Sequence, residues 1–197
     1  MGTMSVEVPE IDQLLAMTSP ARYGDELPDE GSRGGALHLS SVLPAISSAI
    51  GHPIPTAIHA DPKRLQEALG LPDARSAVVV LVDGLGYWNI NMRLGHSPYL
   101  RSLMADSVNQ RPIATCMPST TVAAMSTFGT GTCPGLTGMT GYTQLNPDNG
   151  EICQLISFKN APAPLKLQQQ PTIFERLAEQ DVRVTSSGPV SYTHLTL

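Results

Sequence analysis

Asp83 and Thr121 are the two residues whose types and settings suit chemistry. Asp83 ends the stretch SAVVVLVDG (76–84), directly after six consecutive apolar residues, Ala77 to Val82. A carboxylate held where a buried strand stops is a rigid oxygen donor for a hard or borderline cation. The same Asp-Gly pair is also a turn signal, and the residues alone leave both readings open. Thr121 lies in MPSTTVAAM (117–125). If a helix begins there, its hydroxyl stands beside free backbone N–H groups and the positive end of the helix dipole, which suits a phosphate. A hydroxyl becomes a nucleophile once a base or a metal lowers its pKa. Ser and Thr also occupy that position simply to cap helices. Thr120 is the second candidate nucleophile, and Ser119 reads as a cap or loop donor.

The elements that must position these groups are set by local pattern. Residues 1–35 are rich in Gly, Pro and charge and read as loosely ordered, with one short helix near Ile11–Met17. Residues 38–50 carry Leu39, Val42, Leu43, Ile46 and Ile50 at helical spacing and end at Gly51, with Pro44 marking the true start. Asp61-Pro62 opens a helix that Gly70 closes. Residues 77–82 predict a strand buried on both faces, as in the middle of a parallel sheet. Ser97 caps the next helix, Pro98 takes its first turn, and Leu100, Leu103 and Met104 form a buried stripe. Residues 111–117 predict a second short strand, and Thr121–Phe128 a helix ending at Gly129. Thr172 and Glu175 form a capping box for a helix carrying Ile173, Phe174, Leu177 and Ala178. Val182–Thr185 predicts a last strand. Strands alternating with helices define an α/β chain. The ending VSYTHLTL (190–197) departs from this pattern; residues 189–197 read as a non-native tail, with a genuine β-strand as the alternative, and 36–188 as the N-terminal part of a domain.

Composition narrows the function. The 197 residues carry net charge −5 and 5% aromatics. Without a basic stripe or stacking surface, nucleic-acid binding is not expected. The acidic balance means that phosphate chemistry would need metal ions. Three cysteines, Cys116, Cys133 and Cys153, have neither disulfide-framework nor metal-ligand spacing and read as free thiols of a reducing compartment. No secretory signal and no apolar stretch near 18 residues is present, so a cytoplasmic protein off the membrane is expected. The loop 129–141 lacks a Walker A pattern, and DGLGYW lacks dinucleotide spacing. The loop reads as a structural wall beside the site.

The ordered set VVVLVDGLG, SPYLRSLMADS and MPSTTVAAMSTFGTGTCPGLTGMTGY resembles the start of the alkaline phosphatase superfamily. The nearest branch is the nucleotide pyrophosphatase/phosphodiesterase family. The resemblance covers residues 76–188 and, more weakly, 36–75. Asp83 and Thr121 stand 38 residues apart, similar to the family, and Thr130-Gly131 and Pro134 come at the family's distance. This implies an alkaline-phosphatase-like, mostly parallel sheet flanked by helices, truncated after its first few βα units. It implies a phosphodiesterase or nucleotide pyrophosphatase with two divalent ions, zinc by preference. Asp83 would be a ligand, and Thr121 both ligand and nucleophile. The substrate would be a small phosphate ester or nucleotide. A phosphomonoesterase or phosphonate hydrolase on the same scaffold, or a non-catalytic α/β binding domain, is the alternative.

Two departures qualify the resemblance. Val122 stands where the family often has Phe, and Ala123, Ala124 and Met125 occupy the places where an Asn that contacts phosphate would lie. The remaining Asp and His ligands are expected further along the chain. His38, His52 and His59 are expected at the surface, His96 falls in no ligand motif, and His194 lies in the tail. The chain as it stands is expected to be an inactive fragment.

Overall fold

A computed structural model describes residues 22–29, 32–105 and 112–188. The expected helix at Ile11–Met17, residue 111 and the 189–197 tail with His194 lie outside the described residues.

Helices form where short-range chemistry opens and closes them. A 3₁₀ turn, Leu39–Ser41, leads into α1, Val42–Ala49. Pro44 is the third residue of α1, inside the first turn, where its missing N–H leaves no intrahelical bond unmade. Helix α2, Pro62–Ala68, is capped by Asp61, whose side chain accepts from the N–H groups of Lys63 and Arg64 at 3.1 Å each. Both helices end in the same pair of reversed bonds: Gly51 to Ser48 O and His52 to Ser47 O, then Gly70 to Glu67 O and Leu71 to Gln66 O. Next come α3, Tyr87–Asn91, and α4, Pro98–Met104. Ser97 makes no side-chain cap on α4, and the expected stripe is not buried: Leu103 is exposed, and Leu100 and Met104 are half-buried.

Helix α5, Thr121–Thr130, carries the site and runs past Gly129. Its cap is Gly131 at φ 62°, where an added Cβ would meet Pro44 Cγ at 2.8 Å. Only glycine fits there without a shift. Helix α6, Pro134–Thr137, lies inside the 129–141 segment expected to be irregular. Strands β1, Thr143–Leu145, and β2, Ile152–Gln154, pair antiparallel with Gln144 opposite Cys153. Helix α7, Pro164–Leu167, precedes α8, Ile173–Ala178, whose predicted capping box is present: Glu175 N donates to Thr172 Oγ1 at 3.1 Å, and Thr172 N to Glu175 Oε2 at 2.7 Å.

The chain is thus α/β, but among the described residues β1 and β2 form the sole ladder. The expected parallel sheet is absent from them. Residues 77–82 run without ladder bonds, and Val78 is 92% exposed. The expectation of burial on both faces therefore fails. Apolar composition states a preference for burial; a strand also needs a neighbour, and none of the described residues supplies one. Residues 112–117 contribute one parallel bridge, Ala114 to His38, and Val182–Thr185 is not a strand. Val182 and Val184 pack instead against the main core of Leu39, Leu43, Ile54, Phe128, Ile173 and Leu177.

His38 and His59 are not at the surface. Both are fully buried and joined through Ser40, whose Oγ lies 2.9 Å from His38 Nδ1 and 2.8 Å from His59 Nε2. His59 Nδ1 meets Asp25 Oδ1 at 3.1 Å. The second Asp25 oxygen accepts from the N–H groups of Ala60 and Asp61 at 2.9 Å each. This cluster ties the 22–29 segment to the 3₁₀ turn and to the start of α2. The misplacement has a physical cause: polar side chains can be buried when they find partners, and those of His59 lie 19 and 34 positions away in sequence, while His38 bonds Ser40 two positions on and leaves its Nε2 without a side-chain partner. His52 remains partly exposed, with Nδ1 3.1 Å from Gln180 Oε1.

Candidate active site

Thr121 is the first residue of α5, and the apolar residues after it hold it in place. Val122 is fully buried in a small core with Met139, Cys153 and Leu155, while Phe128 anchors the far end of the helix in the main core. Thr120 serves as the N-cap, its Oγ1 accepting from Ala123 N at 3.4 Å. That division of labour separates the two candidate nucleophiles. The Thr120 hydroxyl is engaged by its own helix, and Thr121 is half-buried with its hydroxyl directed at other elements. Ser119 is exposed in the preceding loop.

Asp83 reaches the same point from the end of the 76–82 run. Asp83 and Gly84 form a turn, with Gly84 at φ 67°. Thr121 Oγ1 donates to both carboxylate oxygens, 3.3 Å from each. The two candidate site residues, 38 positions apart, therefore meet. A second hydroxyl joins them: Tyr142 Oη lies 2.7 Å from Thr121 Oγ1. Sequence reasoning assigned Tyr142 no role: it closes the stretch MPSTTVAAMSTFGTGTCPGLTGMTGY, but nothing next to it in sequence says what its hydroxyl meets. It stands 21 positions beyond Thr121, far from residues 123–125 where a phosphate-contacting side chain was expected.

The other chemistry-bearing residues are elsewhere. Cys116 is buried, and burial pushes its thiol pKa up, so it is a poor nucleophile. Its Sγ donates to Pro118 O at 3.4 Å. Cys133 and Cys153 are also free thiols. The His38–Ser40–His59–Asp25 cluster is closed from solvent at both imidazoles and at the serine.

A hydroxyl at a helix start, bonded to a carboxylate at a turn, suits a hydrolase that attacks phosphorus through an alcohol. The family comparison agrees at the level of class. Residues 77–195 match the type I phosphodiesterase / nucleotide pyrophosphatase family model, and the chain belongs to that family. No curated protein and no solved structure matches the chain.

Enzymes of this family generally depend on metal ions, and the residues present fit such an ion in part. Asp83 and Thr121 offer a carboxylate and a hydroxyl oxygen converging on one point, the donor chemistry of a hard or borderline divalent cation. Among the described residues no group of three His, Cys, Asp or Glu side chains completes a set. Asp83 and Thr121 would supply two donors to such an ion and do not choose between metals. No helix among the described residues is long and apolar enough to cross a membrane.

Proposed function

We propose that Thr121 is the nucleophile of a zinc-dependent phosphodiesterase or nucleotide pyrophosphatase, with Asp83 and Thr121 as metal ligands. The observation that carries this reading is the contact between Thr121 Oγ1 and both oxygens of Asp83. The hydroxyl is already directed at an acceptor that can take its proton. As Oγ1 bonds to phosphorus, the ester P–O bond breaks and the hydroxyl proton passes to Asp83. The leaving oxygen departs as an anion and takes a proton from water. Attack of water on the phosphorylated threonine then breaks the Oγ1–P bond; the departing Oγ1 takes back the proton held by Asp83 and the attacking water gives up its own to solvent, so both side chains are restored. The bound cations would supply charge neutralisation, without which the Asp83 carboxylate repels an arriving phosphate.

Two oxygen donors are too few for the four-coordinate sites zinc usually occupies. We therefore expect the remaining ligands to come from outside the described residues, and residues 1–197 alone to show no turnover. The test is hydrolysis of bis(p-nitrophenyl) phosphate with zinc, by residues 1–197 and by any longer protein that contains them. Activity should vanish on chelation, and Thr121→Ala should lower kcat by about 10⁴-fold or more. Full activity in that variant would move the nucleophile elsewhere.

A further inference from the structure

We propose that residues 75–83 of two copies of this chain pair as an antiparallel, two-stranded ladder, with Val79 opposite Val79 and Arg75 of each copy opposite Asp83 of the other. The proposal does not depend on which residue is the nucleophile.

Exposure alternates along the segment with the period of a strand: Val78 92%, Val79 40%, Val80 78%, Leu81 41% and Val82 53%. Val78, Val80 and Val82 thus form one outward apolar row. The segment is tethered at both ends, by Ala74 N donating to Ala49 O at 2.8 Å and by the contact of Asp83 with Thr121. Between these tethers Ala77–Val82 makes no ladder bond among the described residues. Six apolar residues, four of them valine, with no charge and no proline, have the composition of a strand that pairs readily. An open edge of that kind is a template for another strand.

Charge selects the occupant and the register. Arg75 and Asp83 are the sole charged residues of 75–83; both are exposed, and they stand four positions to either side of Val79. Antiparallel pairing of two copies about Val79 therefore sets a guanidinium against a carboxylate at both ends. It also sets Val78 against Val80 twice, on the outward row. Residues opposite one another in such a ladder have Cβ atoms about 5 Å apart, close enough for both kinds of pair to stabilise it. Other pairings do worse. Parallel, in-register strands set Arg75 on Arg75 and Asp83 on Asp83, and antiparallel strands centred on Val78 set Asp83 on Asp73. A carboxylate has more acceptor sites than one threonine hydroxyl fills, so Asp83 can take the guanidinium as well. The arrangement is two-fold and self-complementary, so it closes at two copies. Because Asp83 also meets Thr121, the ladder carries the second copy's guanidinium to the edge of the candidate site.

Sedimentation equilibrium of residues 1–197 tests this. The mass should rise with concentration from 20.9 kDa to twice that value and stop there. Val79→Lys brings two ammonium groups together on the two-fold axis and should weaken the dimer by about tenfold or more. Arg75→Asp and Asp83→Arg should each lose the dimer when alone, because like charges then meet at both ends. An equimolar mixture of the two should regain it, because every end again joins opposite charges. Far-UV circular dichroism checks that each variant is folded, and Val79→Lys decides where a charge variant is not. A mass of 20.9 kDa at every concentration, with the segment covered by another part of the chain, overturns the proposal. So does growth beyond two copies, a dimer that Val79→Lys leaves intact, or a mixture of folded Arg75→Asp and Asp83→Arg that fails to pair.

Discussion

Acidification should destabilise the chain through its buried imidazoles, before its carboxylates titrate. His38 is fully buried, and burial pushes its pKa down from 6.5 to about 4, against the opposing pull of a backbone hydrogen bond at Thr115. His59 is lowered too, by burial first, with the Asp25 carboxylate working in the other direction. The Tyr23 ring packs edge-on against His38, its centroid 4.7 Å away. Because the folded pKa is depressed, the unfolded chain binds a proton below pH 6.5 that the folded chain refuses. Stability is therefore full above about 6.5 and falls as the pH drops toward 4. For His38 alone, a fall from 6.5 to about 4 is worth about 3 kcal/mol at about 1.4 kcal/mol per pH unit. That is a large part of the roughly 5–15 kcal/mol typical of a domain. The assay is urea unfolding monitored by circular dichroism at a series of pH values from about 7.5 down to about 4.5, which covers most of the window. His38→Asn keeps an acceptor for Ser40 N and removes the titrating ring, so its stability curve should be flatter across this window. A wild-type stability that stays level from about pH 7.5 to about pH 5 would refute the reasoning. Asp73, lowered by its bonds to Gln66 and Lys63, contributes in the same sense, but only as the pH falls below the usual carboxylate value of 3.8.

Three other outcomes are expected. Gly131→Ala places a Cβ against Pro44 at positive φ and should cost about 1–3 kcal/mol, read as a lower melting temperature. Thr172→Ala removes the cap and the reciprocal bond of α8 and should cost about 1 kcal/mol in urea unfolding. Residues 1–197 should bind zinc weakly in isothermal calorimetry, and Asp83→Asn should weaken that binding further; tight stoichiometric binding would contradict the partial donor set.

What could be read from the sequence was local chemistry. Asp61-Pro62, Gly51, Gly70 and the Thr172–Glu175 pair act on backbone close to themselves, and α1, α2 and α8 begin or end where those signals stand. The meeting of Asp83 with Thr121 was legible only through the resemblance of the ordered motifs to a known family, since each residue alone read equally as a turn or a cap. What depended on a distant partner was not legible. The valine run at 78–80 carried every mark of a strand except the neighbour that makes one. His59 looked like a loop histidine because nothing local announces Ser40 or Asp25, and His38 because nothing local announces that its neighbour Ser40 turns inward to His59. Gly129 looked like the end of α5, but left-handed backbone comes two residues later, where Pro44 packs against Gly131. Tyr142 was invisible for the same reason: its significance lies wholly in what its hydroxyl touches.

The most direct measurement is the identity of the covalent intermediate. Zinc-supplied enzyme mixed with a phosphodiester substrate and quenched in acid should yield, on peptide mass spectrometry, one phosphoryl-containing adduct, located on Thr121. The same adduct on Thr120 or Ser119, or turnover with no adduct at all, would contradict the account.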